Sequence, residues 1–479
     1  MGTLKKNFLF NLLLTASKIL LPLITFPYVT RVLKPSGIGW VSLTESTAGY
    51  AIIFAALGIP VYGIREVSKR RTNQQALNNL FSELFVIHLL ISLFIFICYL
   101  LFVFYNEQFA LNSNFFYVGS LMILFNVFSV EWFFQGIEQF KFITIRSLFI
   151  KFLQIIAIFL LVKSETDGLL YFSITTGAFI LNAMVNFYFS KKFVKLKLNV
   201  GWSNVLAHVK PLIFIFSSLA FISIFTLMDT ILLGILAPSQ SVGYYSTALK
   251  ISKTPLLLIT ALGTVLIPKL SLLHAEGNKT EFLILIKKSI QLVITFSIPI
   301  LFFILGVSKE LIYAFAGPGY EQAEFVLVVT SFLCLIIGLS NIFGMQIITP
   351  MSKDKYLTFS VLVGSVVSLL LNILLIPIFK EKGAAISLLV TELVVTILVF
   401  YFSKKLLNFS MQWVYLFKTI FICLPILLFP LLIENVIDSQ WIILLTSFVF
   451  TAIYYCTIQM FIFKNIFLIE LLKMFGIKV

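Results

Sequence analysis

Several ionisable residues of this chain stand inside long apolar segments, where a charge is costly. In a bilayer that cost is about 2.5–3.5 kcal/mol on insertion scales, so such residues usually face a cavity or a partner. The cations could bind an anionic group, and the acids could act as gates or as coupling groups for a proton or another cation. The cations are Lys18, Arg31, Lys250 and Lys253, and the acids are Glu45, Glu131 and Asp229.

The depth and spacing of these residues suggest which of them share a surface. Lys18 lies ten residues into the first apolar segment, which is about 15 Å along a helix and near the middle of a bilayer. Lys250 and Lys253 are three residues apart, so they share one helix face. Asp229 and Lys250 flank the turn near Ser239 at similar depth. These two could form a structural ion pair across a hairpin, which is an alternative to a functional role for Asp229.

The two remaining acids also leave alternatives open. An internal repeat, described below, aligns Glu45 with Leu249 or Lys250, so an acid in one half would correspond to a base in the other. An ion pair between the halves could then act as a gate. Glu131 lies near the cytoplasmic end of its apolar segment, where the carboxylate could simply be solvated.

Other kinds of chemistry find little support in the sequence. The histidines His88, His208 and His274 are far apart, and all four cysteines lie in apolar runs without metal-ligand spacing. The chain has no glycine-rich phosphate loop of the G-x-x-x-x-G-K type, and no loop is much longer than about twenty residues. We therefore expect neither a metal, nor a bound cofactor, nor catalytic residues.

The composition identifies the elements that must position the charged residues. Of the 479 residues, 60% are apolar and 11% are charged, whereas soluble proteins average about 25% charged residues. The chain has too few charged residues to cover a water-exposed surface. This excludes a soluble enzyme, a nucleic-acid-binding domain and a secreted protein. Helices of about 20 apolar residues span a bilayer. The predicted spans are 8–30, 39–62, 83–105, 115–134, 147–163, 169–189, 211–236, 242–267, 287–306, 326–348, 357–378, 384–403, 414–433 and 441–462.

The positive charges predict the orientation of these fourteen spans. With the N-terminus placed in the cytoplasm, 26 lysines and arginines fall on the inside and 6 on the outside. The positive-inside rule therefore places both termini in the cytoplasm, which for a bacterial chain means the plasma membrane. The net charge of +15 follows from this topology and requires no nucleic-acid partner.

A repeated motif divides the predicted spans into two sets. The loop after the first span reads Val32-Leu33-Lys34-Pro35-Ser36-Gly37-Ile38-Gly39-Trp40-Val41-Ser42, and the loop after the seventh contains Pro238-Ser239 followed by Gly243-Tyr244-Tyr245-Ser246. The offset is about 204 residues, and Leu57-Gly58 matches Leu262-Gly263 at 205. We therefore predict a six-helix lobe over 1–200, a second over 201–405, and two added helices over 406–479. Parallel repeats related by a pseudo-twofold axis are typical of alternating-access carriers.

The fourth span carries the most specific motif of the chain. The run Glu131-Trp132-Phe133-Phe134-Gln135-Gly136-Ile137-Glu138 resembles the Glu/Asp-Trp-x-x-Gln-Gly-x-Glu segment of the Wzx-like oligosaccharide repeat-unit flippases. The loop from Thr30 to Gly39 and the segment from Leu57 to Glu66 resemble the same family. The family belongs to the multidrug, oligosaccharidyl-lipid and polysaccharide exporter superfamily, so the resemblance implies an all-α polytopic membrane protein of two lobes.

The resemblance also implies a function. Members of the Wzx-like family move undecaprenyl-pyrophosphate-linked repeat units to the outer leaflet for the synthesis of O-antigen, capsule or exopolysaccharide. The pair Ser17-Lys18 resembles the Ser-Arg pair of the related lipid II flippases, which suggests Lys18 as a pyrophosphate ligand. The implied partners are the lipid-linked oligosaccharide and, beyond it, a polysaccharide polymerase and chain-length proteins; the implied energy source is a proton or cation gradient. The alternatives are a multidrug or cation antiporter of the superfamily, or a membrane polysaccharide polymerase or ligase.

Overall fold

The computed structural model describes residues 2–110 and 112–461. Within this part, the side chains of residues 2–9, 11–20, 22–23, 218–219, 221–222, 224–226, 257–258, 260–265 and 461 lie outside the description. The described residues form helices joined by short turns and contain no strand. The expectation of an all-α polytopic fold is therefore confirmed.

Eighteen α-helices account for most of the described chain. They are α1 (Gly2–Ala56), α2 (Ile59–Arg70), α3 (Gln74–Tyr105), α4 (Glu107–Ala110), α5 (Ser113–Phe125), α6 (Glu131–Gly136), α7 (Phe140–Leu161), α8 (Gly168–Ser190), α9 (Trp202–Leu236), α10 (Ser239–Lys253), α11 (Leu256–Ala275), α12 (Lys279–Gly306), α13 (Ser308–Ala316), α14 (Ala323–Ser331), α15 (Leu333–Asn341), α16 (Asp354–Leu406), α17 (Trp413–Glu434) and α18 (Gln440–Phe461). Short 3₁₀ turns cover Asn126–Ser129 and Glu165–Asp167, and a π-helical turn covers Ile342–Ile348.

Within the described residues, every predicted span falls mainly on helices, although several spans are broken. Among the described residues, nine helices are long and apolar enough to cross a membrane, or ten if the bent pair formed by α1 and α2 counts as one span. The helix α16 covers two predicted spans, which meet at Lys380 with φ 51°. The two spans within α1 meet in the same way at Lys34, with φ 58°. These left-handed residues break the helices at the loops predicted to face outward.

The chain divides into two compact units. The first comprises Met1–Ser246 with Ser365–Ala384, and the second comprises Thr247–Gly364 with Ala385–Val479. In the first, buried aliphatic and aromatic side chains of α2, α3, α6 and α9 form one core. In the second, a larger core is built from α11, α12, α15, α17 and the π-helical turn. The lobe boundaries near 200 and 405 remain predictions.

Close packing of α2 on α6 positions the Glu131 motif. A Cβ atom on Gly63 would lie 2.4 Å from the ring of Trp132, and one on Gly136 would lie 2.5 Å from a side-chain atom of Val67. Only glycine permits this approach of the two helices. Trp132 is also packed against Phe81 of α3, with ring centroids 5.7 Å apart. The motif is therefore held rigidly within the first unit.

Candidate functional site

The cations predicted to bind an anion lie on two helices. The side chain of Lys18, on α1, lies outside the described residues. Arg31 is an exposed residue of α1 in the first unit, whereas Lys250 is exposed and Lys253 half-buried on α10, in the second unit. Their joint role as an anion site stays a prediction.

The two copies of the repeated motif contact each other within the first unit. The hydroxyls of Ser36 and Ser239 lie 3.2 Å apart. A Cβ on Gly39 would lie 1.8 Å from the carbonyl oxygen of Ser239, and a Cβ on Gly243 would lie 2.0 Å from that of Pro35. The contact is reciprocal, since each copy presents its glycine to the Pro-Ser turn of the other. A local twofold relation produces this pattern.

Glu131 is paired rather than simply solvated. Arg146 Nη2, on α7, donates to Glu131 Oε1 at 3.1 Å. The side chain of Arg146 is 6% exposed and that of Glu131 is 25% exposed, so water screens the pair only in part. The sequence placed Arg146 among the cytoplasmic charges and did not identify it as a partner. An arginine six residues into an apolar helix was the available signal.

Asp229 lies at the centre of a buried hydrogen-bonding network. The residue is 2% exposed, and its carboxylate accepts hydrogen bonds from the Tyr245 hydroxyl and the Ser368 hydroxyl, each at 3.1 Å, and from the Asn372 amide. Ser368 and Asn372 lie one turn apart on α16, and the sequence did not identify them. The hairpin pair with Lys250 stays a prediction, as does the gating role of Glu45, which is half-buried on α1.

A second buried polar network joins α2, α3 and α9. His208 Nε2 lies 3.0 Å from Glu83 Oε2, and His208 Nδ1 lies 2.7 Å from the Tyr62 hydroxyl. All three residues are buried. The network satisfies the polar groups at the start of α9, so a structural role accounts for it.

A cavity of about 410 Å³ lies in the first unit beside the Glu131 motif. Its lining includes the polar residues Glu131, Gln135, Asn126, His88, Ser129 and Ser223, together with Trp132. Asn126 Nδ2 lies 3.1 Å from His88 Nε2. No cluster of histidine, cysteine, aspartate or glutamate that could hold a metal occurs among the described residues.

Comparison with known proteins decides the family. A model of the family described as "Polysaccharide biosynthesis protein" matches residues 4–274, more than half of the chain. The chain belongs to this family. A candidate O-antigen transporter of Escherichia coli strain K12 is 26% identical over 415 residues, covering 84% of this chain and 97% of that protein. The resemblance to the Wzx-like flippases is thereby confirmed.

Solved structures show the same fold. The lipid II flippase MurJ, in an inward closed conformation, superposes with a TM-score of 0.75 at 14% identity and covers 96% of this chain and 100% of that chain. An inward-facing multidrug transporter of the MATE family gives a TM-score of 0.59 at 12% identity, over 81% of this chain and 97% of that one. The family and these neighbours are transporters rather than enzymes, and this chain is a multi-pass membrane protein.

Proposed function

We propose that the protein is a flippase that moves undecaprenyl-pyrophosphate-linked oligosaccharide repeat units from the cytoplasmic to the outer leaflet of a bacterial plasma membrane. The observation that carries the proposal is the family match over residues 4–274, to which a relative named for O-antigen transport and the fold of a lipid II flippase add support. The product would be O-antigen, capsule or another exopolysaccharide. A polymerase and chain-length proteins would act on the flipped units.

Cations suit this substrate because a lipid-linked pyrophosphate is anionic. We assign its recognition to Lys18 and Lys250, with help from Lys253 and Arg31. A charge-assisted hydrogen bond contributes about 1.5–3 kcal/mol, so losing one weakens the interaction roughly ten- to a hundred-fold. A drug or cation antiporter would instead offer acids to its substrate, and the cation at Lys18 argues against that alternative.

The experiment is complementation of a strain that lacks the gene. Lys18→Ala should abolish or strongly reduce surface polysaccharide, whereas Lys18→Arg should retain much of it, because a point charge is sufficient for an electrostatic contact. Lipid-linked repeat units should accumulate on the cytoplasmic side in the deletion strain. Full activity of Lys18→Ala at a normal protein level would remove Lys18 from the site.

Alternating access is the proposed transport mechanism. In the predicted topology, the reciprocal contact of Ser36 with Ser239 lies at the outer end of the helices, where it would close the outer mouth. Opening toward the outside would then require these turns to separate. In a cysteine-free background, Ser36→Cys with Ser239→Cys should form a disulfide under oxidation and stop transport, and reduction should restore it. Each single cysteine variant is the control, and unchanged transport in the crosslinked protein would argue against this gate.

A further inference from the structure

Two helix breaks meet at the cavity beside the Glu131 motif. Between α1 and α2 the chain bends by 40°, with Leu57 at φ 43° and Gly58 at φ 78°. The span over residues 113–136 is interrupted by the 3₁₀ turn Asn126–Ser129 and by Val130, whose φ and ψ of 17° and 28° lie outside helical values. Both breaks line the cavity. Irregular backbone within a membrane span is tolerated where it is buried in protein or lines a cavity, and broken helices mark substrate sites in transporters.

The polar groups of this cavity are held in place by neighbours. Asn126 and His88 are 9% and 4% exposed, and they lie within hydrogen-bonding distance of each other. The Asn186 amide donates to the Ser129 carbonyl at 2.6 Å, which fixes the interrupted turn. Trp132 is 5% exposed, and its Nε1 is a buried donor without a hydrogen-bond partner. An unpaired buried donor of this kind costs free energy, and no side chain of the motif supplies it with an acceptor.

The charge of the cavity wall does not call for a charged ligand. Glu131 already binds Arg146, so the pair has no net charge. What remains is a set of amide, imidazole and carboxylate groups with both donors and acceptors, and the lining also includes the apolar side chains of Ile52, Ile53 and Ile64. A sugar ring has matching chemistry, because its hydroxyls donate and accept while its C–H face is apolar. A volume of about 410 Å³ lies within the usual range of small-molecule sites.

We infer that this cavity, within the first unit, binds a neutral sugar residue of the transported glycan and thereby selects among lipid-linked substrates. The inference rests on the proposed function and adds a sugar subsite that is separate from the pyrophosphate ligands. The ion pair with Arg146 would hold the Glu131 side chain in place in the cavity wall, and Asn126 and Gln135 would contact the sugar hydroxyls.

The test compares two lipids on the purified full-length chain in lipid nanodiscs. One is the lipid fraction carrying the repeat unit, isolated from a strain lacking this gene, and the other is undecaprenyl pyrophosphate without sugar. Asn126→Leu and Gln135→Leu should weaken binding of the first lipid at least ten-fold and leave binding of the second unchanged. Gln139→Leu makes the same amide-to-apolar change at an exposed position outside the cavity and serves as the control.

A second variant acts by volume rather than by polarity. Ile53→Trp should fill the cavity and weaken binding of the glycosylated lipid alone. If all variants bind the glycosylated lipid as the wild type does, or lose both lipids equally, the sugar subsite is rejected. If the wild type itself binds neither lipid, the proposed function fails instead.

Discussion

The Ser42 hydroxyl donates to the Ser246 hydroxyl at 3.0 Å, although the two residues are 204 positions apart. That separation equals the offset of the repeated motif, in which Ser42 and Ser246 are equivalent. Two equivalent residues can touch only close to the axis that relates their copies. The two copies of the motif therefore contact each other at equivalent positions within the first unit, and the six-helix repeat itself stays a prediction.

The glycines beside these serines provide the first prediction. Gly39→Ala and Gly243→Ala would each place a Cβ within 2.0 Å of a backbone oxygen that cannot move independently. Overpacking of this kind typically costs about 1–3 kcal/mol, so both variants should lower the temperature of thermal unfolding in detergent. Gly177→Ala, on α8, is the control because nothing lies within 4 Å of the added atom. Equal stability of all three variants would contradict the close contact.

The buried ion pair leads to a second prediction. Arg146→Met should destabilise the protein because it leaves the carboxylate of Glu131 without its cation, and the loss should be smaller than the about 3–5 kcal/mol of a fully buried pair because Glu131 is 25% exposed. The double variant with Glu131→Leu should recover part of the loss, since both charges are then removed. Lys141→Met, at an exposed position of the same helix, should have little effect. Thermal unfolding of the purified variants measures all three, and a double variant no more stable than Arg146→Met would argue against the pair.

Hydropathy was sufficient to predict an all-α polytopic fold, because each crossing needs its own long apolar run. The same reasoning identified Glu131 and Asp229, since a charge in such a run is conspicuous. It could not identify the partners of Asp229, because Ser368 and Asn372 are ordinary polar residues more than 130 positions away. It also missed the break at Asn126–Ser129, which is a tertiary feature stabilised by the amide of Asn186.

The third prediction concerns topology. The positive-inside bias places Lys192 and Lys404 in the cytoplasm and Lys163 outside, and all three side chains are exposed. In a cysteine-free background, cysteines at 192 and 404 should resist a membrane-impermeant thiol reagent applied to intact cells, whereas a cysteine at 163 should react. After cell lysis all three should react, which controls for accessibility. Labelling of positions 192 and 404 from outside would overturn the proposed orientation.

A fourth prediction follows from Glu310 on the short helix α13, which lies outside the candidate spans. Burial raises the pKa of Glu310, and the neighbouring carboxylate of Glu434 adds to the effect. The ionised form is therefore disfavoured in the folded state, so this residue reduces stability above its folded-state pKa. As the pH falls through that pKa, the carboxyl becomes protonated and the penalty disappears.

The measurement is the unfolding temperature of Glu310→Gln against the wild type across a pH series. The variant should be more stable at neutral pH, and the difference should shrink as the pH falls. Glu321→Gln should behave in the opposite way, because the Gly319 N–H donates to Glu321 and lowers the pKa of its carboxyl. If the difference in unfolding temperature between Glu310→Gln and the wild type does not change with pH, burial of the Glu310 charge is not the cause of that difference.

The last prediction separates a coupling role of Asp229 from a structural one. Asp229→Asn keeps the size of the side chain but removes the charge that a proton or cation would neutralise. If Asp229 couples an ion gradient to transport, this variant should fold normally and lose export of surface polysaccharide. Ser368→Ala removes one donor and leaves the carboxylate, so it should retain most of the export. Full export by Asp229→Asn at a normal protein level would reject the coupling role.

The structural alternative is that Lys250 only neutralises Asp229. In that case Lys250→Ala should reduce export, and adding Asp229→Ala should restore it, because the uncompensated buried carboxylate is then gone. If Asp229 couples an ion gradient to transport, adding Asp229→Ala should not restore export, since the double variant lacks the ionisable group altogether. Asp229→Ala also leaves Tyr245, Ser368 and Asn372 without their common acceptor, which could destabilise the fold. Thermal unfolding of each variant is therefore measured alongside export, so that loss of export through the missing charge is distinguished from loss of export through unfolding.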